Sequence, residues 1–494
     1  LIARYPRLRR AAANESSLAA QAAARWSWLA REYWLVAIAF LTAIVLRLAV
    51  FTYIAGDARK FFTYDSGGYD RRAMNLLEHG VFAGQARPPF TPDLERTPVY
   101  PALMAAVYAV AGHHPAAVVL LQVLLGGLAA VLTFLAAREL GLAERAGLIA
   151  ALLVAVDPVS VMTANRLLTE TLFTTLLVAG VWLLLRFWRT RWLPWAAAAA
   201  IVFGLAALTR PIAQFLPLVL LPFFGFALRD RRRTLLVSAA LFLAISGALM
   251  AGWAWRNERE GGVFTLSTIG DTNLIYYRAR AVLAAAEGQS QEATWDALEA
   301  RIEREAARQN LSPSETIAFQ RREALEIFRE HPLLTAEMQI TGAARIFVDP
   351  GYTITCTLLD RSSTAFECFP GKSTMNEPGL IDRALGKVGQ MTAVQQVTLL
   401  AAIVILGVLY AGAALGSLQL ARRRCWLALA LLLVLIGYFA LLSAGAEANS
   451  RFRVPIVPFL ALLAGAGIDW SLTVARARAE GVWRLGPVAG SRGA

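Results

Sequence analysis

Carboxylates and arginines recur in this sequence at the ends of long apolar runs, where charge is costly and its placement therefore informative. Asp65 lies in the turn-rich stretch Tyr64-Asp65-Ser66-Gly67-Gly68-Tyr69, Asp157-Pro158 closes one apolar run, and Glu170 opens the next. Arg210-Pro211 joins two further runs, Arg256-Asn257 follows another, and Arg451-Phe452-Arg453 opens the last. A carboxylate so placed can take a proton from an attacking hydroxyl. A guanidinium offers a planar fork of donors that matches phosphate. Together the two residue types suit transfer of a group from a phosphate ester. Hard carboxylate oxygens also suit Mg²⁺ or Mn²⁺, so a divalent metal shared by Asp65, Asp157 and Glu170 is an open alternative, although the chemistry requires no cofactor.

Each residue also has a plainer role available. Asp65 can cap the helix that follows it. Asp157 and Glu170 can be solvated helix ends, and Arg210, Arg451 and Arg453 can reach to lipid headgroups. Arg47, near one end of the first apolar run, is expected to snorkel in the same way. The combination argues against the plain roles, because these arginines stand in short connections on the side that ordinarily lacks them.

The elements that position these groups are membrane spans. Of 494 residues, 57% are hydrophobic and 17% charged, which is too few charges for a soluble chain of this length. Low charge, the absence of a glycine period and only three cysteines exclude disordered, collagen-like and disulfide-framework classes. The net charge of +13 comes almost wholly from arginines between apolar runs, with lysine only at 60, 372 and 387, so no nucleic-acid partner is expected. Arginine-for-lysine and alanine-rich usage points to a GC-rich bacterial genome.

Ten spans are expected, near Trp34–Ile54, Ala116–Ala137, Ala146–Met162, Leu168–Phe187, Trp195–Leu208, Ile212–Leu228, Leu235–Trp255, Ala393–Leu418, Trp426–Ser443 and Val454–Val474. Arginine clusters fall in every second connection: Arg138 and Arg145; Arg186, Arg189 and Arg191; Arg229 and Arg231 to Arg233; Arg422 to Arg424. The positive-inside rule then places both termini in the cytoplasm and the carboxylate–arginine set outside. No cleavable signal peptide is expected, since the first apolar run is long and starts well into the chain.

Two outer segments are long. The first, 55–115, contains a polar helix from Tyr69 to His79 ended by Gly80, and an apolar run, Ala102 to Ala111, too short to span. The second, 256–392, carries two amphipathic helices, Glu292 to Arg308 and Pro313 to Arg329, the latter with a Ser312/Glu315 capping box. The expected division is 1–33 cytoplasmic, 34–255 a membrane catalytic module, 256–392 an extracytoplasmic loop domain, 393–475 C-terminal spans and 476–494 a cytoplasmic tail.

Asp65 ahead of a polar helix, Arg96-Thr97-Pro98-Val99-Tyr100-Pro101, Leu168-Thr169-Glu170, Thr209-Arg210-Pro211, Trp255-Arg256-Asn257 and Arg451-Phe452-Arg453-Val454-Pro455 occur in this order on one side of the membrane. In this the chain resembles the GT-C membrane glycosyltransferases, nearest the family-39 type that includes protein O-mannosyltransferases and aminoarabinose transferases. The resemblance implies an all-α polytopic membrane protein with about ten transmembrane helices and a mainly helical extracytoplasmic domain. It also implies inverting sugar transfer from a polyprenyl phosphate, using an acidic residue of the first loop, to a hydroxyl acceptor on a glycan, lipid or protein. Asp65 is followed by Ser66 where many members have a second acid, so Asp157 or Glu170 is the candidate for that role. Arg210, Arg256, Arg451 and Arg453 are the candidates for the donor phosphate. The implied location is the cytoplasmic membrane of a bacterium, with membrane lipids as further partners and the active site facing outward.

A secondary transporter or lipid flippase is the alternative, against which stand the lack of repeated halves and of a midplane charge cluster. A scaffold presenting its large loop would leave the outer charges unexplained. Gly371-Lys372-Ser373 lacks the first glycine of a phosphate loop. His113-His114 reads as an interfacial helix end, and Gly126-Gly127 as a site of close helix packing. Cys356 and Cys368, both in the second outer loop, are expected to form a disulfide, leaving Cys425 free on the cytoplasmic side.

Overall fold

The computed structural model describes residues 34–359, 388–389 and 391–480. Among these it contains helices and turns and no strand. The first span is α1 (Trp34–Ile54). The first loop holds α2 (Ser66–His79) and α3 (Val99–Ala111), which pack on each other. Gly80 ends α2 in the left-handed region at φ +67°, where a residue without a Cβ is favoured. The interfacial stretch thus begins at Val99, three residues earlier than expected, and buries Tyr100, Met104 and Tyr108.

The spans follow as α4 (Pro115–Glu139), α5 (Glu144–Val156), α6 (Pro158–Ala164), α7 (Glu170–Thr190), α8 (Leu193–Ala207), α9 (Leu216–Ala227) and α10 (Arg232–Gly261). After the second loop come α17 (Ala393–Arg422), α18 (Trp426–Ser443) and α19 (Val457–Ala479). Among the described residues seven helices are long and apolar enough to cross a membrane, and the pair α5–α6, bent by 55° at Asp157-Pro158, makes an eighth if it is counted as one span. Proline explains the bend, because it lacks the amide hydrogen that would continue the ladder. The remaining two expected spans are the shorter helices α8 and Pro211–Ala227. At 15 residues α8 is about 22 Å long, less than the hydrocarbon thickness of about 30 Å.

α19 is the central strut, lying along α17 on one side and α5 on the other. Small residues allow this. A Cβ on Gly416 would fall into the carbonyl of Leu463, one on Gly467 into that of Gly412, and one on Gly465 into that of Ala146. Without a hydrophobic force between helices in lipid, such backbone approach is what secures their packing. Gly126 and Gly127 of α4 work similarly against α1. A Cβ on Gly127 would press on Phe40 and Ile44, and one on Gly126 would displace the Arg47 side chain. Arg47 therefore corrects its expectation. It does not reach to headgroups but lies buried, 2% exposed, donating to the carbonyls of Ala43 and Ala155.

α10 is about 45 Å long and carries the chain beyond the bilayer into the second loop. There α11 (Ile269–Asn273), a π-helical turn (Leu274–Ala279), α12 (Arg280–Glu287), α13 (Gln291–Gln309) and α14 (Pro313–Glu330) enclose a small core that includes Ile275, Leu298, Ile302 and Ile327. The Ser312/Glu315 capping box forms as expected. α15 (Pro332–Val348) and α16 (Tyr352–Leu359) return to the spans, and Arg278 clamps this domain to Glu447 at 2.7 Å. Cys356 is disulfide-bonded and Cys425 is free and exposed. Cys368 and the Gly371-Lys372-Ser373 stretch lie outside the described residues.

Candidate functional site

The connections α1–α2, α6–α7, α8–α9 and α18–α19 meet at one end of the spans, opposite the arginine-rich connections. Asp65 stands at the entry to α2 but does not cap it: its carboxylate makes no bond to the helix backbone. Ser66 fixes the entry instead, its Oγ accepting from the Thr63 amide at 2.8 Å and donating to the Leu167 carbonyl at 2.9 Å. The Asp65 carboxylate is left to meet Arg451 Nη2 at 2.7 Å and Arg96 Nη2 at 3.3 Å.

Glu170 occupies the first turn of α7, where a negative charge is favoured by the exposed amides of a helix start. It is buried and takes Arg210 Nη1 at 2.6 Å and Arg451 Nε at 3.5 Å. Arg210 sits in the extended residue between α8 and the turn Pro211–Ala213, donates to Thr169 Oγ1 at 3.2 Å, and is flanked by the Phe173 and Phe452 rings. Arg451 lies in the single turn Ser450–Arg453, where Asn449 accepts from its amide. Arg96 is aimed by Asp93, whose Oδ1 accepts from the Glu95 and Arg96 amides, and it lies over the ring of Tyr69. The motif after Arg96 binds the one around Arg210, since Thr97 Oγ1 donates to the Thr209 carbonyl and the Val99 amide to that of Leu208.

Three guanidiniums, of Arg96, Arg210 and Arg451, thus face two carboxylates, of Asp65 and Glu170. One positive charge is left over. Glu170 is sealed, its side chain 2% exposed, whereas the arginines and Asp65 keep roughly a fifth of theirs open. Burial pushes the Asp65 carboxyl up, but Arg451, Arg96 and Arg210 outweigh it and hold it below its ordinary value. Burial disfavours the Arg451 charge, and Glu170 and Asp65 more than restore it. An arrangement with one positive charge in excess can receive an anion beside the Asp65 carboxylate.

Other expected site residues lie elsewhere. Asp157 is buried at the α5–α6 bend and accepts from the Ser160 amide at 2.8 Å and hydroxyl at 2.6 Å; no hydrogen bond or ion pair links it to Asp65 or Glu170. A helix restarting after a bend needs its first amides capped, and Asp157 does this. Arg453, fully buried, donates to the carbonyls of Ile346 and Asp349 and straps the end of α15. Two residues after Arg451 in a tight turn, it has a different set of partners. Arg256 donates to the carbonyls of Asp93 and Phe82 and stacks on Trp253, which holds the first loop that presents Arg96. Arg96 is the residue that sequence reasoning placed in a motif but not in the site.

Among the described residues no group of three or more His, Cys, Asp or Glu gathers to hold a divalent ion, Asp157 is committed to α6, and Asp65 and Glu170 already have guanidinium partners.

Residues 95–255 match the family model of dolichyl-phosphate-mannose-protein mannosyltransferases. The fold is similar to that of the Archaeoglobus fulgidus oligosaccharyltransferase tethered to an acceptor peptide, at TM-score 0.52 and 17% identity over 92% of this chain and 52% of that one. It is similar at TM-score 0.50 and 16% identity to AglB from the same organism in complex with an inhibitory peptide and a dolichol-phosphate, over 93% and 52% of the two chains. ArnT from Cupriavidus metallidurans in the apo state aligns over 94% of this chain and 82% of its own at TM-score 0.37 and 16% identity. The chain spans about half the length of the oligosaccharyltransferase structures it matches. No curated protein sequence matches it significantly.

The fold is that of a multi-pass helical membrane protein and is similar to the fold of these oligosaccharyltransferases.

Proposed function

We propose that this protein transfers a sugar, with inversion, from a polyprenyl-phosphate donor to a hydroxyl acceptor at the extracytoplasmic face of a bacterial cytoplasmic membrane. The observation that supports the reading is the three-arginine, two-carboxylate cluster at one end of the spans, where a membrane-dissolved lipid would present its phosphate. No ATP or nucleotide-sugar pool exists outside the cytoplasm, so an activated sugar arrives there on lipid. A cluster at the end of the bundle suits surface chemistry better than transport, which places ionisable residues near the midplane.

The acceptor oxygen attacks the anomeric carbon from the face opposite the phosphate, the bond from that carbon to the phosphate oxygen breaks, and Asp65 takes the hydroxyl proton. The leaving group changes from a phosphodiester monoanion to a phosphomonoester that approaches a dianion. Arg96, Arg210 and Arg451 therefore bind it more strongly as the bond breaks, which is the condition for lowering the barrier. Glu170 acts through Arg210 and Arg451, fixing their forks.

The resting site also implies an order. Asp65 is a weak base while it is paired with Arg451 and Arg96. A donor phosphate that recruits these guanidiniums releases the carboxylate, so donor binds before acceptor. The test is incubation of the purified protein with a panel of polyprenyl-phosphate sugars and membrane extract, with the product's anomeric configuration determined. A retained configuration, or no transfer from any lipid-linked donor, overturns the reading.

A further inference from the structure

At the other end of α7, about 27 Å from Glu170 along the helix, the structure has a second feature with no part in the transfer scheme. A cavity of about 350 Å³ opens between the end of α7 and the turn joining α17 to α18. Trp188, Arg189, Glu139, Arg424, Cys425 and Trp426 line it, and leucine and alanine side chains complete the wall. Trp188 is buried, 6% exposed, and its indole N–H has no hydrogen-bond partner. Glu139 is already neutralised by Arg186 and Arg189, each at 2.9 Å. Arg424 is exposed, in the left-handed region at φ +57°, and among the described residues its side chain forms no ion pair. Two arginines and one carboxylate line the cavity, and that carboxylate is shared with Arg186 behind it, which leaves the cavity positive with apolar sides.

We propose that this cavity binds the phosphodiester headgroup of an anionic phospholipid from the leaflet opposite the transfer site. The arginine bias assigns that leaflet to the cytoplasm, where basic pockets between spans meet anionic lipid. A phosphate oxygen answers the Arg424 and Arg189 guanidiniums, while the acyl chains run down the apolar side. Trp426, 59% exposed, sits at the headgroup level that tryptophan favours. The chain's own ends are poor occupants, because 1–33 and 476–494 are rich in arginine and would be repelled.

The test uses the purified full chain in phosphatidylcholine nanodiscs, with phosphatidylglycerol or inorganic phosphate added. Cys425 lines the cavity and is the free thiol among the described residues, so its maleimide labelling rate reports occupancy. Phosphatidylglycerol should slow labelling, and R424Q should weaken the apparent lipid affinity about fivefold, the equivalent of about 1 kcal/mol for one basic residue at an anionic surface. R423Q removes the same charge from a residue outside the cavity wall and should keep the protection. Equal labelling with and without phosphatidylglycerol overturns the proposal. So does an R423Q effect as large as that of R424Q, which would mean general surface charge, or protection by inorganic phosphate equal to that by lipid. None of these outcomes bears on sugar transfer, which is read separately.

Discussion

Arg451 Nη2 lies 2.7 Å from Asp65 Oδ2, joining the loop after the first span to the segment before the last across 386 residues of sequence. The same guanidinium reaches Glu170 Oε1 through Nε at 3.5 Å. One arginine thus ties together three connections of the bundle, and the site exists only when the first and last spans are assembled around the middle ones. The carboxylate proposed as base and the cation proposed for the leaving group are each other's resting partners, from which the predictions on the site follow.

Asp65→Asn should abolish transfer while leaving the fold intact. The amide keeps the shape and can still accept a hydrogen bond from Arg451, but it cannot take a proton. General-base contributions are typically 10²-fold or more, so the rate should fall by at least about a hundredfold. A variant that keeps a tenth of the activity would remove Asp65 from the base role.

The pH dependence follows from the direction of the Asp65 shift. Its carboxyl is held below its ordinary value, so the ion pairs add stability that is full above about pH 4, the unfolded value, and lost as pH falls through the lower folded value. The acid limb of kcat/KM, which reports the free enzyme, should lie below about pH 4. Arg451→Gln removes the foremost opposing charge and leaves burial less opposed, so in its residual activity the limb should move up. A limb unmoved by the substitution would separate Arg451 from the ionisation of Asp65.

The spans were readable because long apolar runs and alternating arginine clusters are local properties, and the ends of α2 and α14 because Gly80 and the Ser312/Glu315 box act within one turn. Which arginines face the site was not local. Arg451 and Arg453 have the same sequence setting, yet a tight turn sends one to Asp65 and the other to the carbonyls ending α15. Arg47 looks like a snorkeller until Gly126, 79 positions later, is seen to leave it a buried slot. Asp157 has the residue type of a catalytic acid and the position of a cap, and only the bend at Pro158 distinguishes them. Arg96 had one legible sign, the Asp93-x-x-Arg96 spacing of a side chain that turns the backbone.

Lysine substitutions should divide the arginines in two. Arg210→Lys and Arg451→Lys keep the charge but lose the fork, and should weaken donor binding about tenfold or more, since a charged hydrogen bond contributes about 1.5–3 kcal/mol. Arg453→Lys should instead lower thermal stability, because its guanidinium serves two buried carbonyls, while the folded protein keeps its donor affinity. Isothermal binding of a polyprenyl-phosphate sugar alongside a melting curve separates the two effects. Weakened donor binding with an unchanged melting curve in Arg453→Lys would return that residue to the phosphate site.

Denatured, unreduced protein should show one free thiol. Cys356 is disulfide-bonded, Cys425 is free, and the sequence contains three cysteines. Three titratable thiols would remove the bridge and with it an independent support for placing Cys356 on the oxidising side.

Gly416→Ala tests whether the packing of α17 on α19 sets the site geometry. The added Cβ would meet the Leu463 carbonyl, which is helix backbone and cannot rotate away as a flexible side chain can. Overpacking of this kind typically costs about 1–3 kcal/mol, and here relief requires the two helices to separate. α19 begins four residues after the end of the turn that carries Arg451, so a shift of this helix moves the guanidinium relative to Asp65. The variant should therefore melt earlier and also lose turnover in the protein that remains folded. Gly407→Ala, on the same helix where a Cβ meets nothing within 4 Å, should change neither. If Gly416→Ala lowers the melting temperature but leaves turnover per folded molecule intact, the strut would bear on stability alone and the position of Arg451 would be fixed locally by Asn449 and its ion pairs.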